Sequence, residues 1–208
     1  QLMPDILAAV NADEMLSRKL FSMEFLTTTT QQVLVTLIYH KPLDEQWQQQ
    51  ASLLADQLSI KIIGRSRKQK MVLTDDFVIE EISVDGKLYQ YQQVEASFTQ
   101  PNAQVNQKML TWASDCLKDS NHDLVELYCG NGNFTAVLAQ HFDKVLATEI
   151  SKVSVNSATY NFDLNKVDNV TIARLSSEEF TQALNRERAF RRLANVDLDS
   201  FNFSTIFV

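Results

Sequence analysis

The stretch Asp123-Leu124-Val125-Glu126-Leu127-Tyr128-Cys129-Gly130-Asn131-Gly132-Asn133-Phe134 runs from an apolar strand through a turn with alternate glycines into a helix. Gly130 and Gly132 can adopt backbone angles closed to other residues and let a ligand approach the main chain. The first amides of the helix then face the bound molecule. Roughly 20 residues further on, Thr148-Glu149-Ile150 ends the next strand with an acid. In a βαβ nucleotide site an acid there accepts hydrogen bonds from the two ribose hydroxyls. Phe134-Thr135 stands where the dinucleotide fingerprint has its third glycine, which disfavours a pyrophosphate. Glu126 points the same way, because a carboxylate repels a diphosphate but can pair with an amine. S-adenosylmethionine is a ligand of that kind. The plain alternative is a tight turn with surface asparagines, and the placement of Glu149 favours the adenosyl site.

Other reactive side chains are less organised. Cys129, at the strand end, reads as a small buried residue, and Cys116 as helix packing. His40, His122 and His141 lack paired-ligand spacing, so no metal is expected. Trp47 and Trp112 fall on apolar helical stripes and are expected in the core. Phe98, two residues before Gln100 at the junction of two halves, suits either packing or stacking on a flipped base. Lys61, Arg65, Arg67, Lys68 and Lys70 cluster, either as a solvated hairpin or as a phosphate-contacting edge, and Arg65 is the candidate substrate contact taken from them. Arg186, Arg188, Arg191 and Arg192 read as a solvated face.

The elements that must hold these residues divide into two rhythms. Over residues 1–94 a helix reaches about Leu20. Two antiparallel strands flank the Thr27–Gln32 turn, a helix carries Leu43, Trp47, Ala51, Leu54 and Leu58, and short strands follow, with Asp85-Gly86 as a hairpin turn. This is an α+β region. Over residues 95–208 helices are expected at 101–117, 134–141, 151–163 and 177–193, and strands at 123–127, 144–149, 169–173 and 205–208. Val105, Met109, Trp112 and Cys116 are expected to form the buried face of the first helix. Ser176 and Glu179 fit a capping box. Alternation at this spacing argues for a parallel sheet of order 3-2-1-4 covered by helices, with the domain boundary near 90–98.

Composition sets the outer limits. Nineteen Lys and Arg oppose 26 Asp and Glu, a net charge of −7, which argues against broad nucleic-acid binding. Two cysteines make no disulfide framework and fit a reducing, cytoplasmic setting. No apolar run approaches the ~18 residues of a membrane helix. The chain opens on Gln1 and closes on Thr205-Ile206-Phe207-Val208, so it is expected to be part of a longer protein.

The sequence resembles the bacterial tRNA (uracil-5-)-methyltransferases over nearly its whole length. The residues carrying this are Phe25-Leu26-Thr27-Thr28, Leu37-Ile38-Tyr39-His40-Lys41, Leu43-Asp44-Glu45-Gln46-Trp47, Ile63-Gly64-Arg65, Tyr91-Gln92-Gln93-Val94-Glu95, Ser97-Phe98-Thr99-Gln100-Pro101-Asn102, Glu126 to Phe134 and Ala147-Thr148-Glu149-Ile150. The resemblance implies an α/β chain, with an α+β N-terminal region followed by a partial Rossmann-like methyltransferase domain. It implies that Gln100, Tyr128, Asn133 and Glu149 bind S-adenosylmethionine. It also implies that the nucleophilic cysteine, the proton-abstracting glutamate and a further cofactor-binding aspartate lie outside this chain, so no catalytic residue is expected within it.

The implied activity of the parent protein is methylation of uridine C5 in the tRNA T loop, with the tRNA T-arm as partner, no membrane association and a monomeric state. The chain alone is expected to be inactive. A ribosomal RNA uracil-5 methyltransferase, a non-catalytic cofactor- or RNA-binding module and, more distantly, a nucleotide-cofactor oxidoreductase are the alternatives.

Overall fold

The structure is a computed structural model and describes residues 2–208. Helix α1 (Leu2–Ala12) buries Ile6 and Val10. It stops at Asp13, whose Oδ1 accepts from the amides of Met15 (2.7 Å) and Leu16 (3.0 Å) and starts α2 (Glu14–Ser17). The single helix expected to Leu20 is therefore two, because an aspartate satisfies the new helix's first amides. Strands β1 (Leu20–Thr27) and β2 (Val33–Tyr39) are antiparallel. Asp44 caps α3 (Glu45–Leu58) through the Trp47 amide at 2.9 Å. This helix crosses over to β3 (Lys61–Ser66), parallel to β2, and β4 (Gln69–Val72) turns back antiparallel. The sheet order is β1-β2-β3-β4. Trp47 is fully buried, as its apolar stripe requires, and presses on β3 where Gly64 has no side chain.

β5 (Phe77–Val84) and β6 (Lys87–Val94) pair with each other alone, around the left-handed Asp85-Gly86 turn. The chain divides into two compact units between Ile79 and Glu80, within β5, whereas the sequence rhythm places the boundary at 90–98. The hairpin accounts for the difference. Ile82, Val84, Tyr89 and Tyr91 share a buried cluster with Leu110, Val137, Ala158 and Phe162 of the second unit.

In that unit follow α4 (Ala103–Leu117), β7 (Asp123–Leu127), α5 (Thr135–Leu138, extended by a 3-10 turn over Ala139–His141), β8 (Lys144–Thr148) and α6 (Lys152–Asn165). β9 (Val170–Ala173), α7 (Ser177–Leu184) and β10 (Phe203–Phe207) complete it. The sheet is parallel with order β10-β7-β8-β9, the expected 3-2-1-4 read from its other edge. The capping box forms in both directions, Glu179 N to Ser176 Oγ at 3.2 Å and Ser176 N to Glu179 Oε2 at 3.1 Å. α7 ends at Leu184, not near 193. Arg186 is left-handed, and only a short 3-10 turn forms over Arg191–Leu193.

α4 presents a different face from the expected one. Trp112 is 68% exposed, Cys116 is exposed, and Val105 and Met109 are also in the exposed range. Leu110 and Ala113 are buried instead, beside Asn106 and Ser114. The polar pair can be buried because it is hydrogen-bonded. Ser114 Oγ lies 3.0 Å from Asp85 Oδ2 and 2.9 Å from His141 Nε2, and Asn106 is bonded to Asn133.

A polar stripe of α6 lies against β6. Asn165 Oδ1 accepts from the Gln90 amide (2.9 Å) and its Nδ2 donates to Gln90 O (2.7 Å). Asn161 Oδ1 accepts from the Gln92 amide (2.7 Å), and Ser157 Oγ donates to Gln92 O (3.1 Å). Side chains one helical turn apart thus supply β6 with the partners another strand would give. Among the described residues no helix is long and apolar enough to cross a membrane, and no group of three or more His, Cys, Asp or Glu could hold a metal ion.

Candidate functional site

β7 ends at Leu127, and the chain turns sharply: Tyr128, Gly130 and Gly132 all have positive φ. The turn is held from three sides. Gly132 N donates to Cys129 O at 2.9 Å, Cys129 N to Thr148 O at 3.0 Å, and Asn161 Nδ2 to Asn131 O at 2.8 Å. The two glycines have different tasks. A Cβ on Gly130 would stand in open space, so only its φ of +59° calls for glycine. A Cβ on Gly132 would lie 2.6 Å from the Phe162 ring, so this glycine serves close packing of α6 and is not in the cavity wall. Of the two glycines expected at the ligand, Gly130 lines the cavity described next and Gly132 faces Phe162.

Beside the turn is a cavity of about 610 Å³, lined entirely by residues of the second unit. Gln100, Tyr128, Gly130, Asn133 and Glu149 all line it, as do Phe98 and Glu126. Glu149 Oε2 accepts from Gly130 N (3.0 Å) and its Oε1 from Ser151 N (2.7 Å). Each oxygen keeps a lone pair for a further donor. Asn133 exchanges two amide hydrogen bonds with Asn106, and its backbone carbonyl accepts from Tyr91 Oη at 3.0 Å. Tyr128 Oη is hydrogen-bonded to Ser177 Oγ at the start of α7. Phe98 is 78% exposed, which settles its choice against core packing.

The wall holds two carboxylates, Glu126 and Glu149, and no lysine or arginine. Burial raises the Glu126 carboxyl to about 8, and the nearby Thr135 hydroxyl offsets this only in part. Burial, then the charges of Glu126 and Glu149, push the Cys129 thiol far up. Burial likewise raises the Tyr91 phenol. Such a wall suits a ligand with hydroxyls and a positive charge. It fits an adenosyl amino acid: Glu149 for ribose hydroxyls, an unpartnered Glu126 Oε2 for an ammonium group, and Phe134 and Phe207 as apolar wall. A phosphate would find no cationic side chain among the described residues of the wall.

Arg65 belongs to the other unit. There it lines a surface cleft with Phe21, His40, Lys41 and Arg67. The Phe21 and His40 rings lie 4.5 Å apart at a tilt of 54°, and Phe21 is 65% exposed. The sequence reading passed over this ring pair, because Phe21 looks like one more apolar strand residue. It also missed Asn106 and Tyr91. An asparagine inside an apolar helical stripe was the available signal for Asn106.

The family model for tRNA (Uracil-5-)-methyltransferase matches residues 1–208. The chain is 59% identical over 208 residues to the tRNA/tmRNA (uracil-C(5))-methyltransferase of Saccharophagus degradans and 61% identical to that of Teredinibacter turnerae. In both cases all of this chain is matched, and it spans 57% of the relative's length. Among solved structures, the Pyrococcus abyssi tRNA (uracil-54, C5)-methyltransferase in complex with S-adenosyl-L-homocysteine matches with a TM-score of 0.58 at 18% identity, covering 81% of this chain and 45% of that one. That likeness supports the fold, a Rossmann-like parallel sheet following an α+β region. Matched from end to end by the family model, the chain belongs to the tRNA (uracil-5-)-methyltransferase family.

Proposed function

We propose that the protein binds S-adenosylmethionine in the cavity of the second unit and methylates C5 of uridine in the T loop of tRNA. The observation that carries this is the cation-free cavity wall in which Glu149, fixed by the Gly130 and Ser151 amides, keeps a lone pair on each oxygen for two ribose hydroxyls. The sulfonium of the cofactor supplies an electrophilic methyl group. Glu149 orients the ribose, Asn133 and Gln100 offer amide groups, and the exposed Tyr128 and Phe98 rings flank the mouth. Phe98 is placed to stack on an incoming base, a use of aromatic side chains common among enzymes that act on extruded nucleotides. In the other unit, the tilted Phe21–His40 ring pair with Lys41, Arg65 and Arg67 offers aromatic and cationic contacts for RNA.

Uracil C5 becomes nucleophilic only after a thiolate adds at C6, and a base must then take the C5 proton. Neither thiol of this chain suits the first step. Cys129 is buried with its thiol held protonated, and its Sγ lies 3.8 Å from Gly130 O. Cys116 is exposed on α4 and does not line the cavity. We infer that residues 1–208 hold the cofactor site and not the catalytic pair. Full-length protein given labelled S-adenosylmethionine and unmodified tRNA should label the T-loop uridine, while this chain alone should not exceed the no-enzyme control. A covalent adduct between this chain and 5-fluorouracil RNA, lost in Cys129→Ser, would overturn the inference.

A further inference from the structure

Between α7 and β10 the chain places four arginines, Arg186, Arg188, Arg191 and Arg192, around a single acid, Glu187. Arg192 brings this stretch back to the start of α7: its Nη1 donates to Arg174 O at 2.7 Å and to Glu179 Oε2 at 3.3 Å. Arg186 is paired with Asp199 at 2.8 Å, and Glu187 Oε1 accepts from the Asn185 amide at 3.0 Å. Leu193 is buried beside Phe180, and Phe190 packs against the same cluster, so the stretch stands on an anchored support. Three arginines of the patch are left over. Arg174, Arg188 and Arg191 are exposed and make no ion pair among the described residues. The Arg188 guanidinium lies 5.0 Å over the Phe190 ring. A guanidinium whose face rests on a ring keeps its N–H edge free for an oxyanion.

The patch borders the cavity mouth. Glu179 accepts from the Ser176 amide, and the next residue, Ser177, is bonded through its hydroxyl to Tyr128 in the cavity wall. From Tyr128 through Ser177 and Glu179 to Arg192 the surface is therefore continuous, with Arg174 and Arg191 at its outer end. The wall itself holds no lysine or arginine, and residues 80–208 carry more acids than bases. A polyanion with one group in the mouth meets its nearest cluster of positive charge here. We propose that Arg174, Arg188 and Arg191 grip phosphates of the RNA whose uridine enters the cavity, at nucleotides flanking that uridine. This rests on the RNA-methylation reading above and adds the surface that holds the substrate beside the mouth. Phosphate oxygens accept from the free guanidinium edges, while the paired Arg186 and Arg192 keep the patch in shape. Such contacts set the register of the RNA and read no base.

The test is tRNA binding by the full-length protein over a range of salt concentrations. Replacing Arg174, Arg188 and Arg191 together by Ala should weaken tRNA binding and flatten the plot of log affinity against log salt by roughly 2–3. Affinity for S-adenosylmethionine, measured by calorimetry, should not change. Replacing the same three by Lys should keep most of the salt dependence, since the charge is retained. An alanine variant that binds tRNA with wild-type affinity and slope would overturn the proposal. If that variant does not fold, wild type decides the point: bound tRNA should shield Arg174, Arg188 and Arg191 from phenylglyoxal, and modification of all three at an undiminished rate would overturn the proposal. Failure of wild type to bind or methylate tRNA at all would overturn the RNA-methylation reading, and the proposal with it.

Discussion

Asn106 of α4 and Asn133 of the glycine turn face each other through two reciprocal bonds, Nδ2 to Oδ1 in each direction, at 2.9 and 2.8 Å. The pairing couples the two amides, because flipping one alone would set like against like. Asn133 keeps one further N–H and one further lone pair beside the cavity. Asn106→Ala should lower unfolding stability by about 1–3 kcal/mol, the cost of leaving a buried amide unpaired. It should also weaken S-adenosylmethionine binding. Urea denaturation and calorimetric titration measure the two effects.

Glu149 bridges two backbone amides and faces the cavity. Glu149→Ala should weaken S-adenosylmethionine binding by roughly 1.5–3 kcal/mol, the range for a charged hydrogen-bonding partner. Equal affinities of variant and wild type in the full-length protein would reject the ribose contact.

Glu126 makes stability depend on pH with a definite sign. Its carboxyl titrates at 4.5 ordinarily and at about 8 in the fold. In acid both states carry the proton, and the residue adds no ionisation penalty. As pH rises above 4.5 the unfolded chain ionises first, so stability falls until pH passes 8. Glu126→Gln should match wild type near pH 4.5 and be the more stable by on the order of a few kcal/mol near pH 8.5. Urea midpoints at the two pH values give the comparison.

The two glycines of the turn should respond unequally to alanine. Gly130→Ala meets open space and should cost roughly 1–2 kcal/mol for left-handed backbone. Gly132→Ala adds a Cβ 2.6 Å from Phe162, and overpacking of that kind adds about 1–3 kcal/mol. Thermal unfolding of both variants should rank Gly132→Ala well below Gly130→Ala.

The thiols should separate in reactivity. Cys116 is exposed and Cys129 buried with its thiol kept protonated. One equivalent of an aromatic disulfide reagent should react quickly in the native protein, and the second only on unfolding. Mass mapping should place the fast adduct on Cys116.

Strand order and the Ser176–Glu179 box were legible because each follows from local rules: a right-handed crossover leaves few topologies, and a capping pair needs only its own three-residue spacing. The exposed stripe of α4 was not legible. Periodicity finds an apolar face, but Val105, Met109 and Trp112 lie outward, and the helix packs through Leu110 and Ala113 with two bonded polar residues. The partners of Asn106 and Ser114 are 27 and 29 residues distant, beyond any local pattern. The place of Glu149 beside the turn was legible because it follows the next strand at a fixed spacing. Tyr91 was not, because its link to the turn is a contact between a hairpin and a loop 42 residues apart.

The asparagine stripe of α6 has a kinetic consequence. Asn161 holds the Gln92 amide with its oxygen and the Asn131 carbonyl with its nitrogen, so one side chain ties the hairpin to the glycine turn. The turn cannot open without releasing β6. The amides of Gln90 and Gln92, bonded only to helix side chains on that side, should exchange with deuterium at one common rate. A ligand that holds the turn shut would then slow both, at a strand it does not touch.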